Sequence, residues 1–185
     1  VQTWTQDSPG VLGSAEEGDA FGATLIAAPF AGGEEDDLAI GVTGDETIGQ
    51  KPSPGSVQVL YGSAQGLTAE GNQLWNQNTP GLRTPQQGTS YFGTSLAAGF
   101  FAGRRYADLA IGADTQVAHF DGPDEGDEPS GTVNVLYGSA HGLTITGNQL
   151  WRANTYGIKG KAGDDGFGSP LAAGNFGKDR DGWVA

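Results

Sequence analysis

The side chains here that could do chemistry are mostly carboxylates: 22 Asp and Glu stand against 9 Lys and Arg, with two histidines and no cysteine. The densest group is Asp121, Asp124, Glu125, Asp127 and Glu128. One reading of it is a loop that faces a cation or another ligand. The other, the expected one, is a solvated loop that keeps the protein soluble. Glu34-Glu35-Asp36-Asp37 invites the same pair of readings, with Asp37 suited to cap its turn through a backbone-directed carboxylate. Histidine usually serves metal sites and catalytic triads. His141 stands where the sister segment has Gln65, inside a repeated turn, and His119 has no nucleophile motif nearby. Gly-x-Ser-x-Gly does not occur, and no carboxylate pair is singled out for glycoside hydrolysis. The segment is therefore expected to be non-catalytic. Trp4, Trp75 and Trp151 recur at one position, as do Tyr61 and Tyr137. A sugar platform is the functional reading, and packing between neighbouring repeat units is the expected one.

The elements that position these residues are repeated. Gly55-Ser-Val-Gln-Val-Leu-Tyr-Gly-Ser-Ala-Gln-Gly-Leu-Thr68 returns as Gly131-Thr-Val-Asn-Val-Leu-Tyr-Gly-Ser-Ala-His-Gly-Leu-Thr144. Gly71-Asn-Gln-Leu-Trp75 returns as Gly147-Asn-Gln-Leu-Trp151, and Asp37-Leu-Ala-Ile-Gly41 as Asp108-Leu-Ala-Ile-Gly112. Phe-Gly occurs at 21–22, 92–93 and 167–168, and Trp4 to Gly10 matches Trp75 to Gly81. The unit is about 71–76 residues long, and the chain holds roughly two and a half of them.

Within the second unit the pattern predicts four short strands: from Phe92 through Ala98, Asp108–Ala113, Thr132–Tyr137 and Asn148–Trp151. The third alternates and is β-branched, as a half-buried strand should be. Gly, Pro and Asn/Asp clusters separate the strands. Glycine is abundant, 33 of 185 residues, which disfavours a helical bundle. The predicted fold is all-β, a partial β-propeller of four-stranded antiparallel blades. A solenoid is the alternative, although its repeats are usually shorter. The boundaries follow: 1–10 ends a preceding blade, 11–81 and 82–157 are complete blades, and 158–185 begins a further one. Leu-Ala-Ala-Gly and Leu-Ala-Ile-Gly suit the crowded innermost strands. The chain opens at the end of a fourth strand, at Trp4, and closes inside a second strand, at Trp183-Val184-Ala185. Two and a half blades leave bare end faces, so a longer propeller is expected to supply the rest.

These residues resemble the FG-GAP repeat, the blade unit of the integrin α-subunit head. Phe-Gly is intact three times. The Gly-Ala-Pro positions read Gly41-Val42-Thr43 and Gly112-Ala113-Asp114, without the proline. The longer Leu-Tyr-Gly-Ser-Ala-x-Gly-Leu-Thr and Gln-Leu-Trp pattern is similar to bacterial secreted or cell-surface members. The resemblance implies a Ca²⁺ loop between the first two strands of each blade, where alternate oxygens converge on a hard cation. Carried over by position, its ligands fall on Pro29, Ala31, Gly33 and Asp37, and on Phe100, Ala102, Arg104 and Asp108. Three of four are unusable in each case, so both loops are expected to be metal-free. The third loop offers Asn175, Asp179 and Asp181, with Trp183 in place of the last Asp, and is the one place where Ca²⁺ is expected, weakly if at all.

The acidic balance, a formal charge of −13, argues against nucleic acid as a partner. No stretch reaches the roughly 20 apolar residues of a transmembrane helix, and Val1-Gln2-Thr3-Trp4 does not open a signal peptide. Zero Met suggests a processed or partial chain. The function implied by the resemblance is an extracellular, secreted or cell-surface interaction or adhesion module. It would bind an extracellular protein or glycan on its rim loops. A lectin-like propeller and an accessory domain of a secreted hydrolase are the alternatives.

Overall fold

The computed structural model describes residues 1–48, 51–83, 89–103, 105–116, 131–153, 155–159 and 166–174. The described part is all-β and contains no helix. Eight strands form two four-stranded antiparallel sheets. The first is β1 (Phe21–Ala28), β2 (Asp37–Ile48), β3 (Lys51–Ser63) and β4 (Gly66–Trp75), side by side in chain order. The second is β5 (Thr89–Gly99), β6 (Asp108–Gln116), β7 (Thr132–Ser139) and β8 (Gly142–Trp151), in the same order.

The repeated sequence folds the same way twice because its local signals recur. The first two Phe-Gly pairs lie where the strand register shifts, between Phe21 and Thr24 in β1 and between Phe92 and Ser95 in β5. The glycines there take φ of +90° and +92°, a region that favours glycine. The Ser-Ala-x-Gly turn also recurs. Ser139 Oγ accepts from the His141 N–H (3.2 Å) and donates to the Gly142 carbonyl (2.7 Å). Ser63 does the same with Gln65 (3.3 Å) and Gly66 (2.6 Å). With only Ala140 and His141 in the loop, pairing resumes at Gly142. The fourth strand therefore starts six residues earlier than the Asn148 start expected from sequence.

The main core lies between the sheets. Ala39, Val57, Val59 and Trp75 of the first sheet pack with Phe92, Leu109, Ile111, Ala113, Leu136 and Leu143 of the second. Burying each larger side chain contributes about 1.5–3 kcal/mol. A smaller cluster covers the other face of the second sheet, where Ala97, Ala110, Val133 and Val135 meet Phe167, Leu171 and Ala173.

The third strand is not half-buried, as its alternation suggested. Val57, Gln58, Val59 and Leu60 are all buried, because both faces of β3 are covered. One face meets the second sheet. Against the first sheet also lie the N-terminal residues: Gln2 pairs with Leu67, and Asn72 holds Gly10 and Leu12. The Gln58 amide is satisfied on its nitrogen by Asn72 Oδ1 (2.6 Å) and the Gln73 carbonyl (3.1 Å).

Two expected strand ends differ. Residues 1–5 carry no strand around Trp4, and it is the Gln2 side chain that bonds to Leu67 of β4. Residues 166–174 carry none either, and Phe167 and Gly168 instead press their backbone against Gly131 and Thr132. The expected strand at Trp183 to Ala185 lies outside the described residues.

Candidate functional site

Asp37 and Asp108 begin β2 and β6, and both are buried. They hold the last position of the calcium pattern, but each spends both oxygens on backbone. Asp108 Oδ2 accepts from the Ala102 N–H (2.9 Å) and Oδ1 from the Gly138 N–H (3.0 Å). Asp37 does the same with Ala31 (2.8 Å) and Gly62 (2.9 Å). Each carboxylate thus ties the loop before its own strand to the end of the third strand. Burial pushes the Asp37 carboxyl above the ordinary carboxylate range, against the downward pull of the Gly62 and Ala31 N–H groups, and Asp36 adds to the rise. The turn-capping role expected for Asp37 is what its geometry provides. Its expected solvation is not, because Asp37 is 2% exposed.

Glu34, Glu35 and Asp36 are exposed. They extend from the loop after β1, which runs against the 140–141 turn of the second sheet. A β-carbon at Gly32 would stand 3.0 Å from the Ala140 carbonyl oxygen. Exposed His141 occupies that turn. No group of three or more metal-ligating Asp, Glu or His side chains is found among the described residues. Asp121, Asp124, Glu125, Asp127 and Glu128, the calcium candidates Asn175, Asp179 and Asp181, and also Arg104 and His119, lie outside them.

The sheets are joined by side chains that the sequence did not mark as functional. Gln73 on β4 reaches Leu143 on β8: its nitrogen donates to the Leu143 carbonyl (3.0 Å) and its oxygen accepts from the Leu143 N–H (3.0 Å). The amide thereby mimics a strand's backbone. Gln2 makes the same two bonds to Leu67, at 3.0 and 2.9 Å. Asn148 accepts from the Arg83 N–H (2.9 Å) and donates to the Gly81 carbonyl (3.1 Å), as Asn72 does with Leu12 and Gly10. A signal for these roles was present. Gln2 and Gln73 both stand two residues before a tryptophan, and Asn72 and Asn148 fall in the repeated Gly-Asn-Gln-Leu-Trp.

Trp75 is buried, at 8% exposure, so its ring offers no open platform to a sugar. Trp151 is half-buried, and its Nε1–H donates to Gln149 Oε1 (2.9 Å). The packing role expected for the repeated tryptophans fits Trp75 directly, since it belongs to the core between the sheets.

Tyr61 sits at the same junction, its hydroxyl donating to Gln73 Oε1 (2.5 Å). Burial pushes this phenol well above its ordinary value, and the Asp37 carboxylate adds to the rise. The native state then keeps a proton that the unfolded chain releases near the usual tyrosine pKa of about 10. Above that pH the native state binds more protons, so stability falls as pH rises. In urea unfolding from pH 9 to 12, the wild type should lose stability more steeply than Tyr61→Phe. Parallel slopes would remove Tyr61 from the account.

Set against models of known protein families and against curated proteins, the sequence matches none.

Proposed function

We propose that this chain is part of an FG-GAP-type β-propeller, similar to the integrin α head. In this reading it serves as a non-catalytic interaction module of a secreted or cell-surface protein. One observation carries the architectural part: the same atoms join successive units. Thr24 Oγ1 donates to the Gly93 carbonyl (2.7 Å), and Ser95 Oγ, at the same repeat position, to the Gly168 carbonyl (2.5 Å). Gly55 receives the Phe92 backbone as Gly131 receives that of Phe167. A contact that repeats at the same positions supports one operation relating successive units, which is what an array of blades uses. Residues 166–174 then start a third blade on the second sheet, and residues 1–4 stand for the fourth strand of a preceding one. The remaining blades of the same propeller are the first partners of this segment.

Binding belongs on the rim, where loops vary while the sheets hold them rigid. Among the described residues the exposed charge there is acidic, from Glu34-Glu35-Asp36; by sequence the proposal adds Asp121, Asp124, Glu125, Asp127 and Glu128, and Asn175, Asp179 and Asp181 as holders of Ca²⁺. The buried Trp75 ring weighs against a lectin that uses the repeated tryptophans.

The reading is tested by probing an array of extracellular-matrix proteins and glycans with the protein, with Ca²⁺ and with chelator. A ligand should appear. Replacing Asp121, Asp124, Glu125, Asp127 and Glu128 by the matching amides should weaken it at least tenfold without changing the unfolding midpoint. No ligand in either condition, or a ligand indifferent to the five changes, would count against the module and its rim.

A further inference from the structure

Eight polar atoms are buried without a partner among the described residues, and all but Asp19 Oδ1 and Gln77 Nε2 fall on matching positions of the two units. At the junction of the sheets they are Trp75 Nε1, Gln77 Nε2, Thr132 Oγ1 and Asn134 Oδ1. Where the N-terminal residues meet the first sheet they are Trp4 Nε1, Ser56 Oγ and Gln58 Oε1. Trp4 and Trp75, Ser56 and Thr132, and Gln58 and Asn134 are equivalent in the repeat. Ser56, Gln58, Thr132 and Asn134 are all at or below 1% exposure.

The topology brings the residues of the first set onto one junction. Thr132 and Asn134 are two apart on β7 and share a face with Leu136, which packs into the core between the sheets. Trp75 enters that core from the first sheet. The loop that leaves Trp75 passes through Gln77 and returns to β7, where Asn134 Nδ2 donates to the Arg83 carbonyl (2.5 Å). The set contains donors, an amide acceptor and a hydroxyl able to do either. Orphaned buried groups of this kind are costly, and the usual remedy is an enclosed water making about three hydrogen bonds.

We infer that each junction encloses an ordered water as a structural ligand. It accepts from the tryptophan Nε1–H, donates to the amide oxygen of Asn134 or Gln58, and exchanges a bond with the hydroxyl of Thr132 or Ser56. The sheets are then cemented by water at the repeated tryptophan, which explains a polar pair on a strand face otherwise given to the core. This inference rests on the two sheets and their junction alone, and it stands or falls separately from the propeller and its ligands.

Nuclear magnetic resonance on the whole chain tests it. The Trp75 indole N–H should show a direct cross-peak to a long-lived water, and Thr132→Val should weaken or abolish that peak. Valine keeps the shape of threonine and removes the hydroxyl. At a hydrated site it should lower the unfolding midpoint, because the water loses a partner. At a dry site it should raise the midpoint, because an unpaired hydroxyl has gone. Absence of the water cross-peak in the wild type overturns the inference, and that measurement needs no variant to fold.

Discussion

Gly55→Ala is expected to destabilise the chain by about 3–5 kcal/mol, the joint cost of an unfavourable backbone conformation and of forcing a buried aromatic from its site. Gly55 has φ of +82°, and a β-carbon there would overlap the Phe92 carbonyl oxygen and stand 2.6 Å from its nitrogen. Those atoms are backbone, so no rotamer change relieves the clash. The first and second sheets must separate, and Phe92, with 0% exposure, loses packing on both sides. Gly71→Ala supplies the control. Its φ of +69° carries similar strain, but nothing lies within 4 Å of the added carbon, so it should cost only about 1–2 kcal/mol. Chemical denaturation of both variants measures the difference. Equal losses would mean that the close approach of Phe92 to Gly55 does not hold the sheets together. Gly131→Ala should act like Gly55→Ala on the contact with Phe167, since the same backbone atoms are met there.

Asp108→Ala should cost about 2–6 kcal/mol, because one buried and one part-buried N–H group lose their acceptor at about 1–3 kcal/mol each. The groups are those of Ala102 and Gly138, and Asp108 itself has 0% exposure. Hydrogen exchange at both amides should quicken more than at Val57 or Val59, which lie in the other sheet. Asp108→Asn should fall between wild type and alanine. Its amide oxygen can accept one bond, but its nitrogen turns a donor toward the other N–H. Asp37→Ala should repeat the result in the first sheet, through Ala31 and Gly62. Wild-type stability in Asp108→Asn would show that the second bond contributes nothing. The outcome also bears on function, since a carboxylate needed by two backbone groups is withdrawn from any metal in these two loops.

Much of the local structure was legible. The Ser-Ala-x-Gly turns and the positions of β6 and β7 follow from glycine's access to positive φ and from β-branched alternation, which act over a few residues, whereas the register shifts at Phe21-Gly22 and Phe92-Gly93, read from sequence only as strand starts, came from the structure. The cap formed by Asp37 was legible for the same reason. The long-range use of polar side chains was not. Gln73 reads as an ordinary polar residue on an outer strand, yet it replaces a strand's backbone at Leu143. Asn134 and Thr132 read as the solvent side of a half-buried strand, yet they are enclosed. The candidate site was legible in part: Glu34-Glu35-Asp36 is exposed as expected, while Asp37, in the same run, is buried.

The sequence alone determined the repeated four-stranded unit and its turns, because these depend on backbone preferences that travel with each residue. Only the tertiary structure decided which polar groups are internal and what they hold. Burial and hydrogen bonding depend on whatever packs across the gap: Leu143 for Gln73, Gly138 for Asp108 and Arg83 for Asn134 each lie tens of residues away along the chain.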